Sequence, residues 1–270
     1  MTETRRPAVA GRFYPSNPQK LRSEIENFLQ HDAPKRPAIA CMVPHAGYMY
    51  SGGVAGKVFG AVEFPTRIIL IGPRHYPEGA PLAIMSRGAW ETPLGLAQID
   101  EELADKIKNE FSSLHEDEVA HRTEHALEVE LPFLQFLLAD SLRFVPIALG
   151  TDRLPVLERL GHALAHVISA SKDCIFIVAS SDMNHYESDA ITRVKDSQAL
   201  EKILALDARG LYETVRANEI SMCGYAAAVA MLTAAKILGA SKAELTAYAT
   251  SGDVNGDRSA VVGYAGVIIS

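Results

Sequence analysis

Two short runs without a polar side chain, Ile68-Ile-Leu-Ile71 and Ile175-Phe-Ile-Val178, set the strongest limit on what this chain can fold into. Runs this brief and this rich in β-branched residues are too short for a buried helix. They match strands covered on both faces, as in parallel α/β sheets. Similar signals predict strands over Pro37–Val43, Arg67–Ile71, Leu82–Met85, Arg143–Leu149, Cys174–Ala179, Leu245–Ala249 and Val261–Ile269. Apolar residues at helical spacing, such as Leu21, Ile25, Phe28 and Leu29, predict helices over Gln19–Gln30, Gly53–Val62, Glu101–Phe111, His125–Ala139, Leu154–Ser169, Ala190–Leu206 and Gly224–Leu238. Helices mostly alternate with strands, which predicts an α/β fold: a three-layer α/β/α sandwich with a mostly parallel or mixed central sheet. The polar stretch Ser251 to Arg258 between the last two strands fits an antiparallel hairpin at an edge. No repeat or linker divides the chain, so residues 1–270 read as one domain.

Composition narrows the function classes. The 26 Lys and Arg against 33 Asp and Glu give a net charge of −7, without a basic stripe, which argues against nucleic acid as a partner. The amino end lacks an apolar signal stretch and no segment approaches a membrane span, so the expectation is a soluble, cytoplasmic protein with no membrane partner. The three cysteines, Cys41, Cys174 and Cys223, show no paired spacing, and Cys41 and Cys174, in or beside strand-like runs, read as small apolar residues.

Polar clusters follow the strands. Pro44-His45-Ala46-Gly47, Gly72-Pro73-Arg74-His75 and Ser180-Ser181-Asp182-Met183-Asn184-His185 each come directly after an apolar run, and Met222-Cys223-Gly224 precedes an Ala-rich helix. In open α/β sheets ligands bind beyond the carboxyl ends of the strands, so His45, His75, Asp182 and His185 are expected to face one crevice. Cys223 would reach it from a helix start, where the helix dipole favours thiolate. Two imidazoles and a thiolate can hold a transition metal and leave positions open: iron(II) or copper, with zinc the remaining candidate. His185 would then be the general acid/base, with Asp182 fixing its tautomer. Glu124 and His125 approach the pocket from the start of the next helix, and Tyr48, Tyr76 and Tyr186 shape the substrate side. Arg74 is either an anion contact or a surface residue.

Several signals read more plainly. His121-Arg-Thr-Glu124-His125 spells an inverted zinc-peptidase string, weak evidence alone. His162 and His166 stand four apart, but Ala163 takes the place of a zincin's catalytic Glu, so they read as a solvated face or satisfied core groups. Gly52-Gly53 with Gly56-Lys57 lacks P-loop spacing and suggests tight helix packing. Asp253, Asn255 and Asp257 read as a polar turn.

The clusters also carry a family resemblance. Val9-Ala-Gly-Arg-Phe-Tyr-Pro15, Pro44-His-Ala-Gly-Tyr-Met-Tyr-Ser-Gly52, Gly72-Pro-Arg-His-Tyr76, Trp90-Glu-Thr-Pro-Leu-Gly95, Glu124-His125 through Glu130-Leu-Pro-Phe133, Ser180 to Tyr186, Met222-Cys-Gly224 and Val261-Val-Gly-Tyr-Ala-Gly266 together resemble the Memo family, in order over nearly the whole chain. The resemblance implies a fold shared with class III extradiol (LigB-type) dioxygenases, His45 and His75 as metal ligands, Cys223 at the third ligand position, and His185 with Asp182 on the acid/base side. It also implies AMMECR-type and radical-SAM proteins as partners. Where the dioxygenases use a carboxylate this chain has Cys223, so ring cleavage does not carry over. The resulting expectation is a mononuclear iron or copper redox protein acting on a small molecule or peptide; the competing readings are a non-catalytic binding scaffold and a metal-dependent hydrolase.

Overall fold

The computed structural model describes residues 4–29 and 34–270; Gln30, the last residue of the first expected helix, lies outside them. In chain order the elements are β1 (Thr4–Arg5), α1 (Pro18–Phe28), β2 (Ala40–Val43), α2 (Tyr48–Ala61), β3 (Arg67–Pro73), β4 (Leu82–Ile84), β5 (Ala89–Thr92), β6 (Gly95–Ile99), α3 (Glu101–Glu110), β7 (His115–Glu116) and α4 (Val119–Arg122). A 3-10 turn, Glu128–Glu130, leads into α5 (Leu131–Leu138), and a second, Ala139–Ser141, leaves it. There follow β8 (Arg143–Leu149), α6 (Leu154–Ser169), β9 (Ile175–Ser180), β10 (His185–Glu187), α7 (Asp189–Leu204), α8 (Ala208–Ala217), α9 (Tyr225–Ile237), β11 (Ala243–Thr250), α10 (Gly252–Asn255) and β12 (Val261–Ile269).

Among the described residues the strands form one mixed sheet whose main path runs β1-β5-β6-β8-β3-β9-β2-β12-β10. Its middle is parallel: β8 pairs with β3, β3 with β9 and β9 with β2. The last hairpin is antiparallel, with Ala243 opposite Ile269 and Thr250 opposite Gly263. The expected α/β sandwich is the observed one.

Strand alternation divides the apolar residues between two cores, because successive side chains leave opposite faces of a sheet. Ala40, Met42, Ile69, Ile71, Ile147 and Ile177 pack on one face, against α3, α6 and α9. Cys41, Val43, Ile68, Leu70, Phe144, Phe176 and Val178 pack on the other, against α1, α2 and α5. The near-continuous runs are therefore strands buried on both sides.

The local differences from the sequence expectation have physical causes. α2 begins at Tyr48, five residues before the expected Gly53, because Gly52 and Gly56 lie against Phe28 of α1: a Cβ would come within 2.6 Å of its ring at Gly52 and within 2.5 Å of its backbone carbonyl oxygen at Gly56. Close packing thus outweighs the helix-weakening effect of glycine. The segment expected to be helical from His125 spends its first residues in turn and 3-10 geometry, and α5 starts only at Leu131, with Pro132 in its first turn. The short strands β5, β6, β7 and β10 and the helix α8 were not expected. Cys174 is exposed just before β9, unlike the buried Cys41. No helix among the described residues is long and apolar enough to cross a membrane.

The first strand is tied into the body by a buried ion pair. Arg5 Nη1 donates to Glu128 Oε2 at 2.7 Å, Nε to the His121 carbonyl and Nη2 to the Glu124 carbonyl, both at 2.6 Å. Glu128 also accepts from the Tyr14 hydroxyl at 2.6 Å and from the Ala8 and Val9 amides. Removing one partner leaves the other charge buried alone, which costs about 3–5 kcal/mol. Arg5→Leu is therefore expected to lower unfolding free energy by about that amount, measured by urea titration; a loss under about 1 kcal/mol would show the pair to be dispensable.

Candidate metal centre

Three adjacent parallel strands, β3, β9 and β2, deliver their carboxyl ends to one place. His45 follows β2 by two residues, His75 follows β3 by two, and Asp182 follows β9 by two. His125 arrives from the turn ahead of α5. Among the described residues, His45, His75 and His125 are the group whose candidate ligand atoms all lie within 4.8 Å of one another. His45 is buried at the floor, His125 is partly covered and His75 faces solvent, so the group opens outward. The rings of His75 and His125 stack at 4.6 Å, and His45 meets them edge-on at 5.2 and 5.5 Å.

The surrounding acceptors fix the tautomers. Ser180 Oγ lies 2.7 Å from both His45 Nδ1 and the Ala126 carbonyl. A carbonyl can only accept, so the hydroxyl gives its proton there and takes one from His45 Nδ1–H. His45 Nε2 keeps its lone pair. Glu124 Oε1 lies 2.9 Å from His75 Nδ1, and as a carboxylate it accepts, so His75 also presents Nε2. The Glu124 side chain accepts from the His75, His125 and Ala126 amides as well. Burial alone would raise the Glu124 pKa, but the His75 hydrogen bond and charge and the backbone amides outweigh it and hold it at about 2. Burial, reinforced by His75, lowers His45 to about 3, and burial with His45 nearby lowers His125 to about 4. Neutral imidazoles are what a metal ion binds.

Cys223 sits just ahead of α9, and its Sγ is 3.3 Å from His45 Nε2. It touches one imidazole, while the third nitrogen of the cluster comes from His125. The expectation that a helix start favours thiolate is offset here: burial, followed by the charge of Asp182, pushes the thiol well up. A bound cation would reverse that balance, since coordination deprotonates a thiol.

The remaining expected site residues fall on both sides of the cluster. His185 Nδ1 donates to the Ser221 carbonyl at 2.9 Å, leaving Nε2 as a base. That carbonyl, rather than Asp182, fixes the His185 tautomer. Asp182 instead accepts from the His45 amide at 2.8 Å; burial raises its pKa, against the opposing pull of His185 and that amide. Tyr76 lies at the mouth, 6.3 Å from His125 between ring centres, and Tyr186, next to His185, is 79 % exposed with a left-handed φ of 62°. Tyr48 is 2 % exposed with its hydroxyl donating inward to the Val129 carbonyl, yet it still helps line the cleft beside the triad. Arg74 turns from the pocket to donate to the carbonyls of Pro77, Glu78 and Gly79, pinning the loop after His75. The inverted-peptidase string is split: His121 is buried beside Trp90 with both ring nitrogens unpaired, while His125 joins the cluster. Next to the triad is a cleft of about 410 Å³ lined by Phe13, Gly47 and Met49 among others; the Phe13 ring is 4.8 Å from His125.

The buried histidines make stability pH-dependent. His45, His121 and His125 have folded pKa values below the ordinary 6.5, so the unfolded chain binds more protons once pH falls below that value. Each contributes a slope of up to about 1.4 kcal/mol per pH unit. Unfolding free energy in chelator is expected to be fully present above pH 6.5 and to fall steadily between pH 6.5 and about 4, with Glu124 adding a loss below about 4.5. In His125→Gln the decline between pH 6.5 and 5 becomes shallower. A profile flat to pH 5 would contradict the buried neutral state.

The family model described as Memo-like protein matches residues 5–268. The chain is 41 % identical over 266 residues to a MEMO1 family protein of Methanosarcina barkeri, covering 98 % of this chain and 99 % of that one. It is 40 % identical over 277 residues to a MEMO1 family protein of Methanopyrus kandleri, covering 98 % of each. A similar match, 40 % over 273 residues, is to a MEMO1 family protein of Methanothermobacter thermautotrophicus, covering 97 % of this chain and 98 % of that protein.

Proposed function

Because the chain belongs to the Memo family, and its imidazole cluster lies where three parallel strands end, we propose that it is a mononuclear metalloprotein with redox chemistry, holding iron(II) or copper. The observation that carries the reading is the set of three imidazoles converging within 4.8 Å, with Nδ1 of His45 and His75 engaged by acceptors so that Nε2 is turned to the group.

The donor set fits such an ion. His45 and His75 offer Nε2, and His125 offers a third nitrogen of the same class. A carboxylate hydrogen-bonded to a ligand imidazole, here Glu124 on His75 Nδ1, orients the ring and raises its basicity. Cys223 Sγ beside His45 Nε2 is a further donor, and a soft one, which favours a redox metal over magnesium or calcium. Iron or copper supplies one-electron or oxygen chemistry when bound. The chain's own residues do the rest. His185, with Nδ1 committed to Ser221, holds a lone pair at Nε2 that can take a proton from a bound molecule. Asp182 holds the His45 loop through its backbone. Tyr76 and Tyr186 line the open side, and Phe13 and Met49 extend an apolar surface suited to a small molecule or a peptide side chain.

Metal analysis of protein prepared without chelator is expected to find about one iron or copper per chain at the triad. His45→Ala abolishes it, and Cys223→Ala changes its redox potential or optical spectrum. Glu124→Gln weakens binding about 10–100-fold through the lost His75 partner. Wild-type protein that takes up neither metal would overturn the proposal; zinc alone, with no redox signal, would favour a hydrolytic centre.

A further inference from the structure

Outside the triad, α6 carries a second pair of histidines. His162 and His166 stand one helical turn apart, and both are exposed, while Gly161, Ala163, Leu164, Ala165 and Val167 around them are buried. Residues four apart on a helix lie one above the other, so the two imidazoles project from the same outer stripe. The carboxyl end of α3 brings Glu110 to this stripe, with Oε2 2.9 Å from His166 Nδ1. Glu110, His162 and His166 line a single cleft of about 510 Å³, together with Ser112, Ser113 and Arg159.

We infer that His162, His166 and Glu110 form a second site for a divalent transition metal such as zinc, separate from the triad. Two imidazoles spaced by one turn of a rigid helix can each turn a nitrogen toward one ion, and a carboxylate on a neighbouring element supplies the third ligand, leaving positions for water. The side chains of His166 and Glu110 are 67 % and 39 % exposed, so they can rotate without disturbing the core. The ion replaces the existing contact between His166 and Glu110 and clips the end of α3 to α6. Arg159, the cation lining the cleft, is exposed and can swing into solvent. Its charge places this site below the triad in affinity.

Zinc is the probe. Equilibrium dialysis of the intact chain followed by metal analysis is expected to show two zinc per chain. One is lost in His162→Ala and in His166→Ala, and its affinity falls about ten-fold in Glu110→Gln; the other is lost in His75→Ala. All three helix-face substitutions are at exposed positions, so the variants keep their fold. In the His75→Ala chain, zinc is expected to slow amide exchange at residues 110–113, which the clip would hold. If His162→Ala and His166→Ala bind as much zinc as the parent, with equal affinity, the second site is refuted, whatever His75→Ala does. Absence of zinc-dependent protection at residues 110–113 refutes it too. Conversely, loss of zinc in His162→Ala with none lost in His75→Ala would refute the triad and leave this site standing.

Discussion

One buried carboxylate, Glu124, sets the frame on which the centre depends. Its oxygens accept from the His75 amide, His75 Nδ1, the His125 amide and the Ala126 amide. A carboxylate taken out of water costs several kcal/mol unless it is fully hydrogen-bonded, and here four N–H groups supply that compensation. The same bonds join the loop after β3 to the turn before α5, two segments about fifty residues apart in sequence. Two of the three imidazoles are thereby positioned relative to each other by one side chain. Arg5 reinforces the arrangement from the far amino end, since its Nη2 donates to the Glu124 carbonyl and its Nη1 pairs with Glu128.

The third imidazole is held differently. His45 rests on a hydroxyl, Ser180, which donates to the Ala126 carbonyl and also lies 3.0 Å from Glu130 Oε1. Burial pushes the Glu130 carboxyl beneath His45 well above the usual carboxylate range. The site thus grades from a buried floor at His45 through the partly covered His125 to an exposed mouth at His75. That gradient keeps solvent on the His75 side and makes this the face from which a ligand must enter.

Much of this was legible in the chain. Near-continuous apolar runs mark the central strands, and the rule that ligands gather beyond their carboxyl ends points His45, His75 and Asp182 to one crevice. The start of α2 was hidden because glycine propensity argued one way and packing against Phe28 the other. Two-to-five-residue strands such as β5, β6 and β10 exist only because a neighbour supplies hydrogen bonds, a fact no local pattern encodes. His125 was recognised only as a pocket-edge residue because it belongs to no strand end; its position follows from Glu124, whose amide contacts are tertiary. Tyr48 is placed by a related cause. Its neighbours in sequence face the crevice, but helix α2 begins at that residue and rotates its ring into the core against Phe133.

Two of the buried polar atoms that lack a hydrogen-bond partner among the described residues lie at this centre. Glu130 Oε2 and His125 Nδ1 have no hydrogen-bond partner, and His45, His75 and His125 crowd one another at ring separations of 4.6–5.5 Å. Such an arrangement costs stability, because desolvated lone pairs crowd one another with the Cys223 thiol, a weak donor, against one of them. A fold selected for stability alone would fill this space with apolar side chains. Placing one cation among the lone pairs turns the mutual repulsion of three acceptors into three attractions, and it gives the elevated Cys223 thiol a reason to ionise. Binding energy would then offset the folding cost, so occupancy and stability at this site are two readings of one equilibrium.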